Sequence, residues 1–480
     1  MNRGDSRLLW AVVLAALALA LTAVMAATHT TATGFSVLVY LTTNLIVFTD
    51  FVDFILRLYF CRINGGSDAE NARGKTDPTH HERDYPYPRR RQCLHPYALV
   101  VSVHNLGERL DSFIEAMEPL RDRVWVIDDA STDDTPTRLR QDGWRCIAES
   151  CNRKKPKAVS QLIEALPADI ETVMVIDPDI IIRDSQTFGC SDLEAVIIDF
   201  QHSGKAALCP RIAIKEGGLL ARLQCVEYAM SFVLGRNSLA DESVTSGIAI
   251  YRRDALIAIY ERHSMSVYGE DFENSVLLLG MGKEIYYDGR LVVETDGVGD
   301  WRHWFSQRVG WSFGFIKVYV ENFAVVRSFS RRSLIVTYQY LVYLGLFGLL
   351  AQPLKIVTVA LLATSFFCGI ANLFGFAPFA DWTIADPMFF AGVYVKYLAL
   401  MMLVLWLVVP PEERRYVLPV IPLYFFYALA QVVPVTIGYL NWLSLKAGGR
   451  RLFDDHYQDQ PSLGVAGAHQ SNWRRQIGQA

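Results

Sequence analysis

The chain has 480 residues, of which 51% are hydrophobic and 20% are charged. The apolar share excludes a disordered polymer, and the charged share lies below the roughly 25% usual for soluble domains. The formal net charge of -4 argues against a nucleic-acid-binding protein, which would carry a strongly basic domain. Residues 8–49 contain no Asp, Glu, Lys or Arg, and residues 333–409 contain only four. This distribution indicates a water-facing domain between two membrane regions.

The first 60 residues contain two apolar runs, and we expect residues 1–60 to form two transmembrane helices. The first run, 8–25, approaches the roughly 20 residues that a spanning helix needs, although its small-residue end also fits a cleaved signal peptide. The second run, 35–60, carries two aspartates in its second half, which we expect to face protein or the membrane interface. Eight Lys and Arg residues between 57 and 91 then predict that the linker 61–96 and the following domain are cytoplasmic.

The C-terminal third contains four more apolar runs, and we expect about four transmembrane helices within 334–445. The runs lie at about 334–351, 354–374, 388–409 and 417–440. We expect an interfacial segment at 316–333 before them and a cytoplasmic tail at 446–480 after them. This topology places Arg414 and Arg415 outside. A single span plus a re-entrant piece over 334–374 would instead place this pair inside and the tail outside.

Residues 97–315 alternate short apolar runs with amphipathic stretches, which predicts an α/β domain. Three β-branched runs bounded by polar turns are typical of buried parallel strands, at 98–103, 124–127 and 172–176. The stretches 108–120 and 155–166 carry apolar residues at helical spacing. Ligands of such domains bind beyond the carboxyl ends of the strands.

Eight cysteines are spread along the chain without a CxxC pair or a histidine at zinc-ligand spacing. This pattern predicts free thiols, and we expect the middle domain to lie in a reducing compartment.

The first two strands end in polar residues. Asn105 and Glu108 follow the first, and Asp128 and Asp129 end the second. Asp and Asn are favoured in turns and helix N-caps, which would account for any one cluster alone. Several such clusters at successive strand ends indicate a binding site.

The third strand runs into Asp177-Pro178-Asp179. Two carboxylates separated by one residue can share Mg²⁺ or Mn²⁺ with a substrate diphosphate, whose departure the metal then favours. We therefore expect Asp177 and Asp179 to be metal ligands. The basic run at 153–157 is either a second source of charge for the same phosphates or a solvated helix start.

Two later segments complete the candidate site. Glu270 and Asp271 follow a glycine, where a carboxylate suits a general base or the positive end of a helix. Three tryptophans between 301 and 311 precede the membrane region, and they indicate an interfacial belt, a sugar-stacking wall or both.

The ordered motifs DDAS, DPD, TSG, GED and QRVGW resemble those of the membrane-embedded family-2 glycosyltransferases, which include cellulose, chitin and hyaluronan synthases. The resemblance covers roughly 97–315. It implies a GT-A-like parallel-sheet domain and an inverting enzyme that uses a nucleotide sugar, expected to be a UDP-sugar. It also implies processive synthesis of an extracellular polysaccharide, with the option of translocating it, at the plasma membrane.

The resemblance also implies roles for individual residues. Asp271 would be the catalytic base, with Glu270 the next candidate, and Asp179 would be the principal ligand of Mg²⁺ or Mn²⁺. The implied acceptor-binding residues are Ser246, Gly247, Gln307 and Trp311. The implied donor-binding residues are Asn105, Glu108, Asp128, Asp129, Lys157, Asp177 and Arg308, with the two adjacent aspartates at the uridine and the lysine near the diphosphate.

One position departs from the family pattern, because Gly310 stands where the QxxRW motif has arginine. Either Arg308 reaches the diphosphate from irregular backbone, or the grip on the diphosphate is weak and few sugars are added. A rival function is therefore the transfer of one sugar to a polyprenyl phosphate or a sphingoid lipid. A third alternative is a non-catalytic assembly or export subunit. The expected partners are the nucleotide sugar, a glycan or lipid acceptor, membrane lipids and export or accessory subunits, but no nucleic acid.

Overall fold

The computed structural model describes residues 48–62, 93–183, 186–187, 190–375 and 387–455. The first apolar run, with its alternative of a signal peptide, lies outside the described residues. So do most of the linker 61–96 and the tail beyond 455.

The middle of the chain forms an eight-stranded mixed sheet and a separate two-stranded hairpin. The strands are β1 (Tyr97–Val103), β2 (Val124–Asp128), β3 (Arg145–Ala148), β4 (Thr172–Ile176), β5 (Ile181–Arg183), β6 (Gln186–Thr187), β7 (Cys190–Ser191), β8 (Ala207–Ile214), β9 (Ala249–Arg252) and β10 (Ile285–Thr295). The order across the large sheet is β3-β2-β1-β4-β9-β8-β10-β5, and β6 pairs with β7.

The three strands predicted from the sequence are confirmed as parallel neighbours. β1 lies between β2 and β4, with Val103 opposite Asp128 and Val101 opposite Ile176. Their apolar side chains are buried on both faces of the sheet, and parallel strands covered on both faces carry continuous hydrophobic runs. The register brings the three carboxyl ends to one edge of the sheet.

The prediction of a parallel sheet throughout is wrong. β9 is antiparallel to both β4 and β8, and β5 is antiparallel to β10. β4 ends at the edge where Asp177 lies, and β9 begins beside it after Gly247. Because β9 starts at the edge where β4 ends, it must run in the opposite direction.

The helices surround this sheet and then continue into the apolar region. Those up to residue 280 are α1 (48–62), α2 (Arg109–Met117), α3 (Thr135–Gln141), α4 (Lys155–Ala165), α5 (Asp192–Ser203), α6 (Leu219–Tyr228), α7 (Arg253–Tyr260) and α8 (Glu270–Gly280). The later ones are α9 (Trp301–Glu321), α10 (Phe323–Phe329), α11 (Leu334–Thr337), α12 (Gln352–Leu373), α13 (Pro387–Leu407), α14 (Pro411–Val417) and α15 (Ile421–Lys446). π-Helical segments extend α6 through Ala229–Arg236 and α11 through Tyr338–Leu350. Short 3-10 segments lie at Glu118–Arg123, Asn237–Leu239 and Leu418–Val420.

Two described helical stretches are long and apolar enough to cross a membrane, Phe390–Leu407 and Pro411–Lys446. A third candidate is the pair Leu334–Leu350 and Gln352–Thr364, which is bent by 49° and is either a broken span or a re-entrant loop. The bend lies where the sequence places Gln352-Pro353, and proline ends or kinks helices. The total number of spans stays a prediction.

Helix α9 joins the sheet domain to the membrane-type helices. It packs along α15 at Gly438, where an added Cβ would lie 2.7 Å from the carbonyl oxygen of Val309 and 2.8 Å from the Cβ of Ser312. One turn further along, Gly314 packs against Gly269 in the loop before α8. α9 therefore contacts both α15 and the loop that leads to the candidate base.

Candidate active site

Asp129, which directly follows β2, holds the start of α4 against the sheet edge. Its Oδ1 accepts a hydrogen bond from the backbone N–H of Arg153 at 2.6 Å, and its Oδ2 accepts one from Lys154 at 2.8 Å. The residue is 3% exposed, so both bonds form away from bulk water. They bring the basic helix start to the strand ends.

The neighbouring Asp128 uses only one of its two carboxylate oxygens in hydrogen bonds to described residues. Its Oδ2 accepts from the backbone N–H of Ser131 at 3.1 Å, whereas its buried Oδ1 has no hydrogen-bond partner among the described residues. Leaving a buried acceptor unpaired costs about 1–3 kcal/mol. Asp128 Oδ1 is therefore suited to accept an N–H group from a ligand.

The two polar residues after β1 differ in their surroundings. Asn105 adopts a positive φ of 51°, and its Oδ1 accepts from the backbone N–H of Thr132 at 2.7 Å. It thus ties the loop after β1 to the loop after β2, a local structural task. Glu108 is exposed just before α2.

Lys155 brings three of the motifs together. Its Nζ lies 2.5 Å from Oδ1 of Asp177, 3.4 Å from Oε1 of Glu270 and 3.4 Å from the carbonyl oxygen of Gly247. Burial lowers the pKa of Lys155, but the Asp177 and Glu270 carboxylates raise it by more, so the net shift is upward. The ammonium group is therefore charged and stands among the acidic residues at the ends of β4 and α8.

Lys157, the lysine implied by the resemblance, has a different environment. It is exposed on α4, whereas Lys155 points inward. The chain enters α4 through Lys154 at a φ of 68°, and the helix begins at Lys155. The sequence pattern included Lys155 in the basic run without distinguishing it. Two residues apart on a helix differ by about 200° in direction, which accounts for the contrast.

The TSG segment, residues 245–247, lies against both acidic motifs. Thr245 donates a hydrogen bond from its hydroxyl to the backbone oxygen of Asp271 at 2.9 Å. Ser246 is buried and donates to the carbonyl oxygen of Ile248 at 2.8 Å. An added Cβ on Gly247 would lie 2.9 Å from Oδ2 of Asp177, so any larger residue here would require the Asp177 carboxylate to move.

The pKa values of Glu270 and Asp271, at the start of α8, are both raised above the ordinary values of these groups. Burial raises the pKa of Glu270 to about 7; Lys155 opposes this shift, and Asp271 and Asp177 add to it. Burial also raises the pKa of Asp271, against the lowering effects of the Phe272 N–H and of Lys155. A raised pKa makes a carboxylate a stronger general base at neutral pH.

Asp179 lies on the other side of the DPD turn. Its Oδ2 accepts from the hydroxyl of Thr295 at 2.9 Å, and its carbonyl oxygen accepts from Lys215 at 3.3 Å. Burial raises the pKa of Asp179, and the charge of Asp177 raises it further. Two carboxylates that disfavour each other's charge are suited to a cation between them.

The residues present fit a divalent metal ion whose remaining ligands come from the substrate. No group of three or more His, Cys, Asp or Glu side chains is arranged to hold a metal in the part of the chain that the structure describes. Asp177 and Asp179 would supply two carboxylates, and phosphate oxygens of the substrate would supply further ligands, an arrangement that Mg²⁺ commonly uses.

The QRVGW segment lies on α9, which is helical throughout 301–321. Trp311 is 38% exposed, and the guanidinium of Arg308 stacks 4.2 Å from its ring centroid. Gln307 accepts from Arg308 at 2.7 Å. The irregular backbone that would redirect Arg308 is not found at Gly310, which lies within the described helix.

Arg308 is engaged in a buried ion pair. Its Nη2 donates to Oε2 of Glu227 at 2.8 Å, and the same oxygen accepts from the hydroxyl of Tyr427 at 2.5 Å. Trp304 completes the cluster by donating from Nε1 to the Tyr427 oxygen at 3.0 Å. The cluster joins α6, α9 and α15, and the sequence did not predict its members Glu227 and Tyr427, which are 200 residues apart.

A cavity of about 650 Å³ extends from this region into the apolar helices. On the side of the sheet domain its lining includes Glu227, Arg236 and Phe272, the residue after the candidate base. Elsewhere the lining is mostly apolar and aromatic, with a few charged side chains that include Asp50 and Lys355.

Comparison with known families agrees with the site. Residues 100–257 match the model of the family described as Glycosyl transferase family 2. The matched segment spans β1 to α7 and includes the DDAS, DPD and TSG motifs. Residues 100–257 therefore form a family 2 glycosyltransferase domain, and the prediction that the chain is a glycosyltransferase is confirmed. The sheet of this domain is mixed.

Similar solved structures include a mannosyltransferase from Pyrobaculum calidifontis in complex with GDP-Man and Mn²⁺. It is 16% identical, with a TM-score of 0.45 over 74% of this chain and 98% of that chain. Another is glucosyl-3-phosphoglycerate synthase from Mycobacterium tuberculosis in complex with Mn²⁺, UDP-glucose and phosphoglyceric acid. It is 18% identical, with a TM-score of 0.29 over 43% of this chain and 73% of that chain. A search of curated proteins returned no match.

Proposed function

We propose that this glycosyltransferase domain belongs to a membrane-embedded, inverting and processive enzyme. It transfers a sugar from a nucleotide donor, expected to be a UDP-sugar, to the non-reducing end of a growing glycan. The glycan is exported as an extracellular polysaccharide, and the same chain is a candidate for its translocation.

The cavity beside the candidate base carries this proposal. It adjoins the start of α8 through Phe272 and is lined further on by α12, α13 and α15. Its volume of about 650 Å³ exceeds what a single hexose requires, and aromatic rings such as Tyr397 and Tyr424 line it. An acceptor several sugars long would have a place to lie in this cavity, with its end near the start of α8.

The chemistry follows from the arrangement around Lys155. Asp271 takes the proton of the acceptor hydroxyl, and that oxygen forms a bond to the anomeric carbon of the donor sugar. The bond from this carbon to the diphosphate oxygen breaks, and the configuration inverts. Asp177 and Asp179 would hold Mg²⁺ or Mn²⁺, which supplies charge neutralisation for the departing diphosphate. Lys155 adds a fixed positive charge at the same place.

Donor binding is assigned to the ends of β1 and β2. Asp128 Oδ1, buried and without a partner among the described residues, would accept the N–H of the nucleotide base. Lys155 would bind the diphosphate in place of the exposed Lys157, which stays a candidate through the resemblance alone. Trp311, with 38% of its surface exposed, offers a platform for the acceptor sugar.

The domain is assigned to the cytoplasmic face of the plasma membrane. The support is the run of eight basic residues between 57 and 91 and the intracellular supply of nucleotide sugars. Cysteines introduced singly between 64 and 90 should resist an impermeant thiol reagent in intact cells and react after permeabilisation. Reaction in intact cells would contradict this placement.

A second function, transfer of one sugar to a lipid, is favoured by one observation. Arg308 is paired with Glu227 on a regular helix, which argues against its taking the place of the arginine that Gly310 replaces. A weaker diphosphate grip suits an enzyme that releases its product after each transfer. The largely apolar lining of the cavity would accept the lipid chain.

Product size separates these functions. The purified full chain, in lipid nanodiscs with Mg²⁺ or Mn²⁺, is incubated with radiolabelled UDP-sugars one at a time, and the product is sized by gel filtration. A processive enzyme would yield a polymer of many sugars, and a single sugar in the lipid fraction would establish the alternative. No turnover of any nucleotide sugar would favour the non-catalytic subunit.

A further inference from the structure

The tyrosine directly before the catalytic motif is bound by the C-terminal end of the described chain. Tyr268 donates from its hydroxyl to Asp455, at 3.0 Å to Oδ1 and 3.2 Å to Oδ2. Arg451 donates from Nη1 to the Tyr268 oxygen at 2.5 Å and to Asp455 Oδ2 at 2.6 Å. The three side chains form a closed triangle of hydrogen bonds.

Aromatic stacking reinforces the triangle. The guanidinium of Arg451 lies 4.6 Å from the ring centroids of both Tyr268 and Phe313. The two rings meet edge to face at 5.0 Å. Because Phe313 lies on α9, the arginine connects the C-terminal segment to two elements that border the active site.

The segment that supplies these residues is folded, and we call residues 451–455 the C-terminal clamp. Asn441, fully buried on α15, accepts from the backbone N–H groups of Leu452 and Phe453 at 2.8 and 3.2 Å. Its Nδ2 also donates to the Phe453 oxygen at 2.9 Å. Asp455 is 2% exposed, so its charge is held by partners instead of water.

The loop that the clamp contacts is also held by α9. Gly269 has a φ of 73° and packs against the backbone of Gly314, where an added Cβ would lie 3.0 Å away. The loop is thus held on one side by α9 and on the other by the clamp through Tyr268. Asp271 follows only three residues after Tyr268.

We propose that the C-terminal clamp positions the catalytic base. Tyr268, Arg451 and Asp455 are positioning residues: they fix the loop that sets the direction of Asp271 and tie it to α15. This inference rests on the proposed role of Asp271 as the base. Misplacing a reacting group by about 1 Å can cost about 10²-fold in rate, so small movements of this loop matter.

The test uses the full chain in nanodiscs, with kcat, the affinity for UDP and the melting temperature measured for each variant. Tyr268→Phe removes the hydroxyl and keeps the ring stacking, and Arg451→Ala removes the central cation. We expect a loss of roughly ten- to a hundredfold in kcat, with UDP affinity unchanged. Arg450→Ala is the matched control, because its exposed side chain forms no ion pair with any described residue. It should keep the wild-type rate.

The same two variants are then made in the Asp271→Asn background. A clamp that works through the base should cause no further loss there, because groups that act as a unit are not additive. An equal loss in both backgrounds, or a wild-type kcat for Tyr268→Phe, would overturn the inference. Failure of the base assignment looks different, since Asp271→Asn alone would then keep the wild-type rate.

Discussion

Lys155 and Asp177, 22 residues apart in the chain, form an ion pair of 2.5 Å beside the ends of three strands. A carboxylate of the DPD motif is thereby paired with a lysine of α4. If a metal ion and a diphosphate bind here, Asp177 would contact the metal and Lys155 would contact the phosphates.

The first prediction separates two lysines of α4. Lys155→Met should lower kcat/KM by about 10- to 100-fold, because a hydrogen bond to a charged group is worth about 1.5–3 kcal/mol. Lys157→Met should have a much smaller effect, since that side chain is exposed. Initial rates over a range of donor concentrations measure both. If Lys157→Met lowered kcat/KM more than Lys155→Met, the diphosphate-binding role would belong to Lys157.

Metal dependence is the second prediction. Activity should require Mg²⁺ or Mn²⁺ and be lost in EDTA, and Asp179→Ala should abolish transfer while the protein still folds and inserts. Near-ultraviolet circular dichroism and gel filtration check the fold of the variant. Full activity of Asp179→Ala in EDTA would show that transfer does not need a metal at this turn.

The third prediction concerns pH. The folded pKa of Glu270 is about 7, above its ordinary value of 4.5, because burial and its acidic neighbours disfavour the charge. Between these values the folded state binds the proton that the unfolded state has lost, so stability falls as pH rises from about 4.5 to 7. In EDTA and without nucleotide, the melting temperature of Glu270→Gln should fall less over this range than that of the wild type. Parallel curves would show that Glu270 titrates normally.

The Arg308–Glu227 pair gives the fourth prediction. Glu227→Ala leaves a buried guanidinium without its carboxylate, which typically costs about 3–5 kcal/mol. The melting temperature should therefore drop by several degrees. Glu227→Leu combined with Arg308→Met should be closer to the wild type, because it removes both charges. If Arg308→Ala instead lost activity at an unchanged melting temperature, Arg308 would act on the diphosphate after all.

The strand ends could be predicted from the sequence, because a short β-branched run followed directly by acidic residues is typical of a buried strand and the turn that leaves it. Asp177, Gly247 and Glu270 are indeed brought together around Lys155. The direction of β9 could not be predicted, because it depends on the sheet edge at which a long connection returns.

Contacts between segments that are far apart in the chain could not be predicted from the sequence for a related reason. Choosing Lys155 over Lys157 requires the entry angle of α4, which the positive φ of Lys154 sets. The partners Glu227 and Asp455 lie 81 residues from Arg308 and 187 from Tyr268, and no periodicity links such positions. Only the packing of α6, α9 and α15 places them together.

The central claim is that Asp271 deprotonates the acceptor. The most direct measurement compares the transfer rates of the wild type and Asp271→Asn, with UDP affinity determined calorimetrically for both. Asparagine keeps the shape and one acceptor oxygen but loses the basicity, and general bases contribute about 10²–10⁴-fold. We expect a loss of that size with UDP affinity unchanged. A wild-type rate, or a loss of UDP binding, would contradict the claim and make Glu270 the next candidate.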